Sequence, residues 1–288
     1  MARPQRHPEG IAGEWYIDDR CIGCGASLSI APRLIKPTED GRQFVFRAQP
    51  ATDKDVLLAQ LAAEVCPTRS IRTESKQRWP PHHPYLVAPA VWRCGSNSPD
   101  TAGGNSYLIA RPDGNVLVDG PRFSESLRRK LQELGGVALI ALTHRDDVGD
   151  AQKYASAFGA EVVIHRADAG AAPFATSIVE ETDPVELRRG LVAIPTPGHT
   201  KGHMMFLLDR EILFAGDSLG WDPYRDDLWA EKAVCWHSWP EQIASLEELL
   251  QHRFTRVIPT HGALSPVLSS EQMHTRLRRL VDQLRATL

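Results

Sequence analysis

The sequence has no apolar run near the ~18 residues that a membrane-crossing helix needs, so no membrane partner is expected. It has no basic excess either: 33 Lys and Arg stand against 36 Asp and Glu, a net charge of −3. Phosphate-binding surfaces need clustered cations, which argues against a nucleic-acid partner. The opening MARPQRHPEGIAGEW has basic residues but no apolar stretch behind them, unlike a secretory leader. Cysteines number only five, an odd count that suits no disulfide framework. A cytoplasmic setting is therefore expected, in which Cys21-x-x-Cys24 reads as metal or redox chemistry. Cys94 and Cys235 lack metal spacing and read as small buried hydrophobes. No period of about 20–50 residues recurs, which excludes a solenoid. The remainder is an ordinary globular composition, 42% hydrophobic and 24% charged over 288 residues, enough for one large domain or two unequal ones.

The texture of the chain suggests two. Residues 1–13 are polar and read as a loose arm. Residues 14–75 form a compact unit with strands at WYI and QFVF and an amphipathic helix over Asp53–Val65. Residues 76–90 hold four prolines between Pro80 and Pro89 and read as a linker, with His82 and His83 as part of the tether. From residue 91 to 288 strands alternate with helices while tight turns also join strand pairs, the pattern of an α/β domain with a mixed sheet.

In this second unit polar turns recur where apolar strands stop. THRDDVGD (143–150) follows VALIAL, TPGHT (196–200) follows LVAI, GDS (216–218) follows ILFA, and PTHG (259–262) follows RVI. Imidazoles and carboxylates gathered at one sheet edge suit zinc, iron or manganese, with open positions for water or substrate. A lone histidine at a strand end is usually structural. Four such turns in order, each with a glycine nearby, point to a metal site.

This order resembles the metallo-β-lactamase-fold superfamily over about residues 91–288 and implies its αββα sandwich. The resemblance gives ligand roles to His199, Asp217 and His261, and makes Asp119 a buried supporting acid. The family's first motif, His-x-His-x-Asp-His, is altered: His144 is kept, Asp146 stands at the second histidine, and Val148 and Gly149 occupy the last two places. Two ligands of a second ion are lost in that register, although Asp147 or Asp150 could swing in. One zinc or iron ion held by His144, Asp146 and His199, with Asp217 nearby, is the expected centre, and His261 either ligates or holds substrate. His203 is expected behind the ligands, while His165 and His237 are expected to be structural. The aromatic stretch GWDPYRDDLW after Asp217 reads as a loop able to wall a pocket.

In the first unit, Cys21, Cys24 and the later Cys66-Pro67 resemble single-cluster bacterial-type ferredoxins, which implies a small α+β fold and a possible [4Fe–4S] cluster. The third ligand position holds Ser27, a hard and weakly acidic donor. A serine-ligated cluster, a three-iron cluster or an empty scaffold follow as alternatives. Together the halves resemble a group of ferredoxin-fused metallo-β-lactamase-fold proteins with a THRDDV-type motif. The leading expectation is a metal-dependent hydrolase of a small-molecule ester, thioester or lactone, with Asp146, Asp150 or Asp217 receiving a proton. The alternatives are an iron oxidoreductase fed through the ferredoxin-like unit, as a resemblance to the flavodiiron branch implies, and a non-catalytic protein with decayed metal sites. Oligomeric state is left open.

Overall fold

A computed structural model describes residues 4–180 and 182–288. The N-terminal unit contains two helices, α1 (Ala26–Ile30) and α2 (Asp53–Val65). Two antiparallel strand pairs accompany them, Trp15–Ile17 with Ile71–Thr73 and Ile35–Pro37 with Phe44–Phe46. α2 begins sharply because the Thr52 side chain accepts from the Asp55 amide while the Asp55 carboxylate accepts from the Thr52 amide. It buries Ala59 and Ala62 against Trp15, Ile17, Ile35 and Phe46, and Cys66 closes its C-terminal end.

Asp18 has no exposed side-chain surface, yet it is ion-paired to Arg20 at 2.9 Å and Arg72 at 2.7 Å. Such pairing is what makes a buried carboxylate tolerable, and the Asp18 carbonyl accepts from the Cys21 amide, which fixes the start of the cysteine turn. Residues 1–3 of the expected arm lie outside the described residues. The rest is tied down rather than loose: Arg6 pairs with Glu74 at 2.6 Å, donates to the Gly13 carbonyl and stacks over Tyr16.

The expected linker is also partly structured. Glu64 accepts from the amides of His82 and His83 and from the His83 ring. Tyr85–Ala88 is then an edge strand of the next domain, not linker. Prolines are tolerated there because an edge strand leaves part of its backbone unpaired.

The second domain is two sheets between two helical layers. Seven strands lie in the order 177–179, 161–165, 139–141, 116–118, 107–109, 91–93 and 85–88. Five lie in the order 185–188, 191–195, 204–208, 212–216 and 256–259. Tyr107, Val118, Leu139 and Ala141 of one sheet meet Ala193, Phe206, Phe214 and Ile258 of the other in the central core. The outer face of the larger sheet is covered by α3 (Glu125–Glu133) and α4 (Ala151–Phe158) through Leu127, Leu131 and Tyr154. The smaller sheet is covered by α5 (Trp239–Glu248) and α6 (Ser270–Arg285) through Ile243, Leu246, Leu277 and Val281. The aromatic loop after Asp217 is a hairpin, Gly220–Asp222 against Asp227–Trp229, with Trp221 buried in the α5–α6 layer. Among the described residues no helix is long and apolar enough to cross a membrane.

Candidate metal centre

Four turns leave the C-terminal ends of strands 139–141, 191–195, 212–216 and 256–259 and bring His144, His199, Asp217 and His261 to one edge of the sandwich. Asp217 is the hub. Its Oδ2 lies 3.6 Å from His144 Nε2, 3.7 Å from His199 Nε2 and 3.7 Å from His261 Nε2. These separations exceed a hydrogen bond. Donors ~2.0–2.2 Å from a tetrahedral ion stand about 3.3–3.6 Å from one another, so the spacing fits a shared cation.

The polar atoms support the same reading. His144 Nε2, both ring nitrogens of His199, Asp147 Oδ2 and Asp217 Oδ1 are buried with no hydrogen-bond partner among the described residues. Leaving so many desolvated donors unpaired is costly unless a cation completes them.

Two three-donor groups share Asp217: one is His144, His199 and Asp217, the other Asp147, Asp217 and His261. Asp147 is therefore the residue that the motif register placed least well. Residues Arg145–Asp147 form a 3₁₀ turn that brings Asp147 Oδ2 to 3.5 Å from His144 Nε2 and buries it. Asp146 sits on the outer side, half exposed, with Oδ2 3.5 Å from His199 Nε2. The turn, not residues 148 and 149, supplies the donor for the second group.

Asp150 is a correction. Its carboxylate accepts from the Phe123 amide at 2.7 Å and pairs with Lys153 at 2.8 Å at the start of α4. Partial burial raises its pKa, but Lys153 and the Phe123 amide outweigh that and hold the carboxyl below its usual value. It does not line the cavity over the metal site.

Supporting contacts set the tautomers. Asp119 accepts from the Thr143 amide at 2.8 Å, the Thr143 hydroxyl at 2.9 Å and the Thr260 hydroxyl at 3.2 Å. It thus ties together the turns that carry His144 and His261. Because the Thr143 hydroxyl donates to Asp119, His144 Nδ1–H donates to that oxygen at 2.9 Å, leaving the Nε2 lone pair toward Asp217. His203, fully buried, is held by Thr196 at 2.8 Å and accepts the Asp217 amide through Nε2 at 3.2 Å, so it orients Asp217 from behind.

Asp168 had no sequence signal, yet it is buried and accepts from the Thr200 hydroxyl and the Arg145 and Gly202 amides. It clamps the His199 turn to the His144 turn. His165 instead caps the following 3₁₀ turn through the Ala167 amide, and His237 lies 3.4 Å from Glu241. Neither belongs to the two donor groups.

Charge follows burial. The His144 imidazole is held well below its usual value, first by burial and then by the neighbouring histidines, so it is a neutral donor. Burial, then Asp217 and Asp119, pushes the Asp147 carboxyl well up. Burial also raises Asp119 to about 7. Carboxyls so raised are sites where a cation would restore ionisation.

A cavity of ≈ 640 Å³ opens over this group, lined by His199, Asp217, His261, Leu219 and Trp229 and, from the N-terminal unit, by Ile22, Gly23 and Cys24. On the other side of that turn, Cys21, Cys24, Cys66 and Ser27 surround a narrow apolar hollow. Cys66 Sγ accepts from the Ser70 amide at 3.2 Å. Burial raises the Cys21 thiol and pushes Cys24 up to about 11, while backbone amides of Gly23, Phe44 and Ala26 oppose that rise. Amide donors around sulfur are what thiolates of an iron–sulfur cluster require, so these residues fit that group. Ser27 completes the ring with its hydroxyl donating to the Ala62 carbonyl at 3.0 Å. Cys94 is fully buried, as a small hydrophobe would be, and Cys235 is half-buried.

A family model of the metallo-beta-lactamase superfamily matches residues 85–222, and one of the 4Fe-4S single cluster domain of ferredoxin I matches residues 17–73. The chain is a metallo-β-lactamase-fold protein with an N-terminal ferredoxin-type domain. The ferredoxin of Thermococcus litoralis is 39% identical over 56 residues, 19% of this chain and 88% of that one. For the metallo-β-lactamase domain, thioesterase pkgB of Emericella nidulans is 30% identical over 126 residues, covering 41% of this chain and 36% of that one. A hydroxyacylglutathione hydrolase of Acidiphilium cryptum is 29% identical over 125 residues, 42% of this chain and 51% of that one. The chain thus spans about half or less of the length of these hydrolase relatives. The solved metallo-β-lactamase FIM-1 of Pseudomonas aeruginosa, in a mono-zinc form, superposes with TM-score 0.53 at 15% identity, over 69% of this chain and 93% of that one. That likeness is one of fold.

Proposed function

We propose that this metallo-β-lactamase-fold protein is a metal-dependent hydrolase that cuts a thioester of a small molecule. One observation carries the reading: unpaired buried donors of His144, His199, Asp147 and Asp217 lie together at a cavity large enough for a small acyl compound. Relatives named thioesterase and hydroxyacylglutathione hydrolase support an acyl–sulfur bond as the target. His144, His199 and Asp217, with Asp147 and His261, would hold zinc or iron, which when bound supplies Lewis acidity and a more acidic water.

The chain's own groups do the rest. Asp217 is held by its amide to His203, so its carboxylate keeps one orientation. Asp146, half exposed beside His199, is free to accept a proton from water entering the cavity. Trp229 and Leu219 narrow the cavity and limit water around the reacting carbonyl. The test is a panel of neutral thioesters offered to zinc- and iron-reconstituted full chain. Turnover lost in His199→Ala supports the reading; turnover equal in His199→Ala overturns it.

A second reading, an iron oxidoreductase, is favoured by one feature. Cys24 lines the same cavity as Asp147 and Asp217, a juxtaposition suited to passing electrons between the two sites. Anaerobic metal analysis with an absorption spectrum separates the two. Zinc at the histidine site supports hydrolysis, and iron at both sites supports redox work.

A further inference from the structure

Large apolar side chains left in water are unevenly placed on this molecule. Nine are exposed among the described residues, and three of them, Ile22, Val234 and Trp236, line the cavity over the metal centre. A fourth, Tyr224, lines a neighbouring cavity of ≈ 380 Å³ that shares Cys24, Trp229 and His261 with the first. Contiguous exposed apolar surface around a polar floor marks a ligand site rather than a chance surface.

The jaws come from different domains and each is fixed from behind. Ile22 sits in the cysteine turn, where Gln43 donates to the Cys21 carbonyl at 2.6 Å. Gly23 there has φ +70°, and a Cβ on it would stand 2.2 Å from the Arg42 carbonyl oxygen, so the turn rests directly on backbone. Opposite, the Trp236 amide donates to the His199 carbonyl at 2.9 Å and the Cys235 thiol to the Gly198 carbonyl at 3.1 Å. The segment carrying Val234 and Trp236 therefore moves with the metal-binding turn.

The charges narrow the ligand further. Asp100, Asp146, Asp147, Asp217 and Glu231 line the cavity, and among the described residues no lysine or arginine does. An anionic acyl group would meet like charge at the mouth, where Asp100 and Glu231 lie outside the metal-binding donor groups.

We propose that Ile22, Val234 and Trp236 form an inter-domain clamp that selects substrates by an uncharged apolar acyl chain, so that the ferredoxin-type domain is one wall of the substrate site. The proposal rests on the thioesterase reading for the bond cut, but not for the binding. It makes Ile22 a specificity-determining residue. The hydrophobic gain per methylene is modest, and at a half-exposed position the expected selectivity change on truncation is about fivefold.

The experiment uses the full chain and N-acetylcysteamine thioesters of acetyl, butyryl, octanoyl and succinyl groups. In the native protein kcat/KM rises with chain length and is lowest for succinyl. Ile22→Ala, with iron content and absorption checked, lowers the octanoyl-to-acetyl ratio of kcat/KM about fivefold, mainly through KM. Val234→Ala, in the other domain and away from Cys21, Cys24 and Cys66, lowers the same ratio and decides the matter if Ile22→Ala loses iron. Calorimetry with the non-hydrolysable thioether S-octyl-N-acetylcysteamine gives a readout independent of turnover, and weaker binding in both variants supports the clamp. If no thioester is cut but thioether binding depends on Ile22 and Val234, the clamp stands and the thioesterase reading falls. If thioesters are cut with no dependence on chain length, and thioether binding is equal in all three proteins, the clamp is overturned while the hydrolase reading survives.

Discussion

Cys24 and Asp147, one from each domain, are separated by two consecutive glycines. A Cβ on Gly103 would lie 2.8 Å from both Cβ and Sγ of Cys24, and a Cβ on Gly104 would lie 2.6 Å from Asp147 Oδ1. Gly103 also has φ +84°, a conformation that favours glycine. The two candidate sites are thus packed against one strip of backbone. Gly103→Ala is expected to lower cluster content, read by iron and sulfide analysis. Gly104→Ala is expected to weaken zinc binding at the histidine site about tenfold by displacing Asp147. Native metal content and affinity in both variants would contradict this packing.

The acidic cluster 146–150 separates by role. Asp147→Asn should weaken zinc binding about a hundredfold, because a buried donor of the second group is lost. Asp150→Asn should change zinc affinity less than threefold, since its carboxylate is occupied by the Phe123 amide and Lys153. It should instead lower thermal stability by about 1 kcal/mol through the start of α4. Zinc titration by calorimetry and thermal melts check both; the reverse ranking would restore Asp150 to the site.

The pH dependence of the metal-free protein follows from the buried groups. Asp119, raised to about 7 first by burial, keeps its proton in the folded state over a range where the unfolded chain, near pH ~4, has lost it. The folded state then binds more protons, so stability falls as pH rises through 7. Asp147, raised well above its usual value, acts in the same sense. His144 and His203, both lowered by burial first, oppose this as the unfolded imidazoles charge around and below pH ~6.5. That opposing contribution fades above about pH 7.5, where the raised carboxyls set the trend. A cation favours their ionised forms, so the gain in Tm on adding zinc should be larger at pH 8 than at pH 6.5. An equal gain at both values would contradict the assignment.

Ser27 offers a direct test of the cluster site. Its hydroxyl is donated to the Ala62 carbonyl, and its position in the ring of Cys21, Cys24 and Cys66 is that of a fourth donor. Ser27→Cys supplies a soft thiolate and should slow the loss of visible absorption in air several-fold. Faster bleaching than the native protein would show that the hydroxyl–carbonyl contact matters more than the donor.

Much of this architecture is legible in the residues. The helix at Asp53–Val65 carries its own capping box, and TPGHT, FAGDS and PTHG each mark a strand end that the fold turns toward one edge. The THRDDVGD segment is legible only in part. The motif register sets Asp146, Val148 and Gly149 at the ligand places, whereas a 3₁₀ turn at Arg145–Asp147 carries Asp147 inward and Asp150 does not line the cavity. The strand Tyr85–Ala88 is masked by prolines that are harmful in a sheet centre but not at its edge. Asp168 and the Gly103–Gly104 strip act through contacts with residues distant in the chain, for which no local pattern exists.

Asp217 is common to both donor groups, so it tests the centre most directly. Zinc titration of the metal-free full chain should show tight binding accompanied by proton release, because Asp147 gives up its proton on ligation. In Asp217→Asn both the binding and the proton release should be lost while the fold, read by circular dichroism, is kept. Zinc affinity and proton release in Asp217→Asn equal to those of the native protein would contradict the assignment of this metal centre.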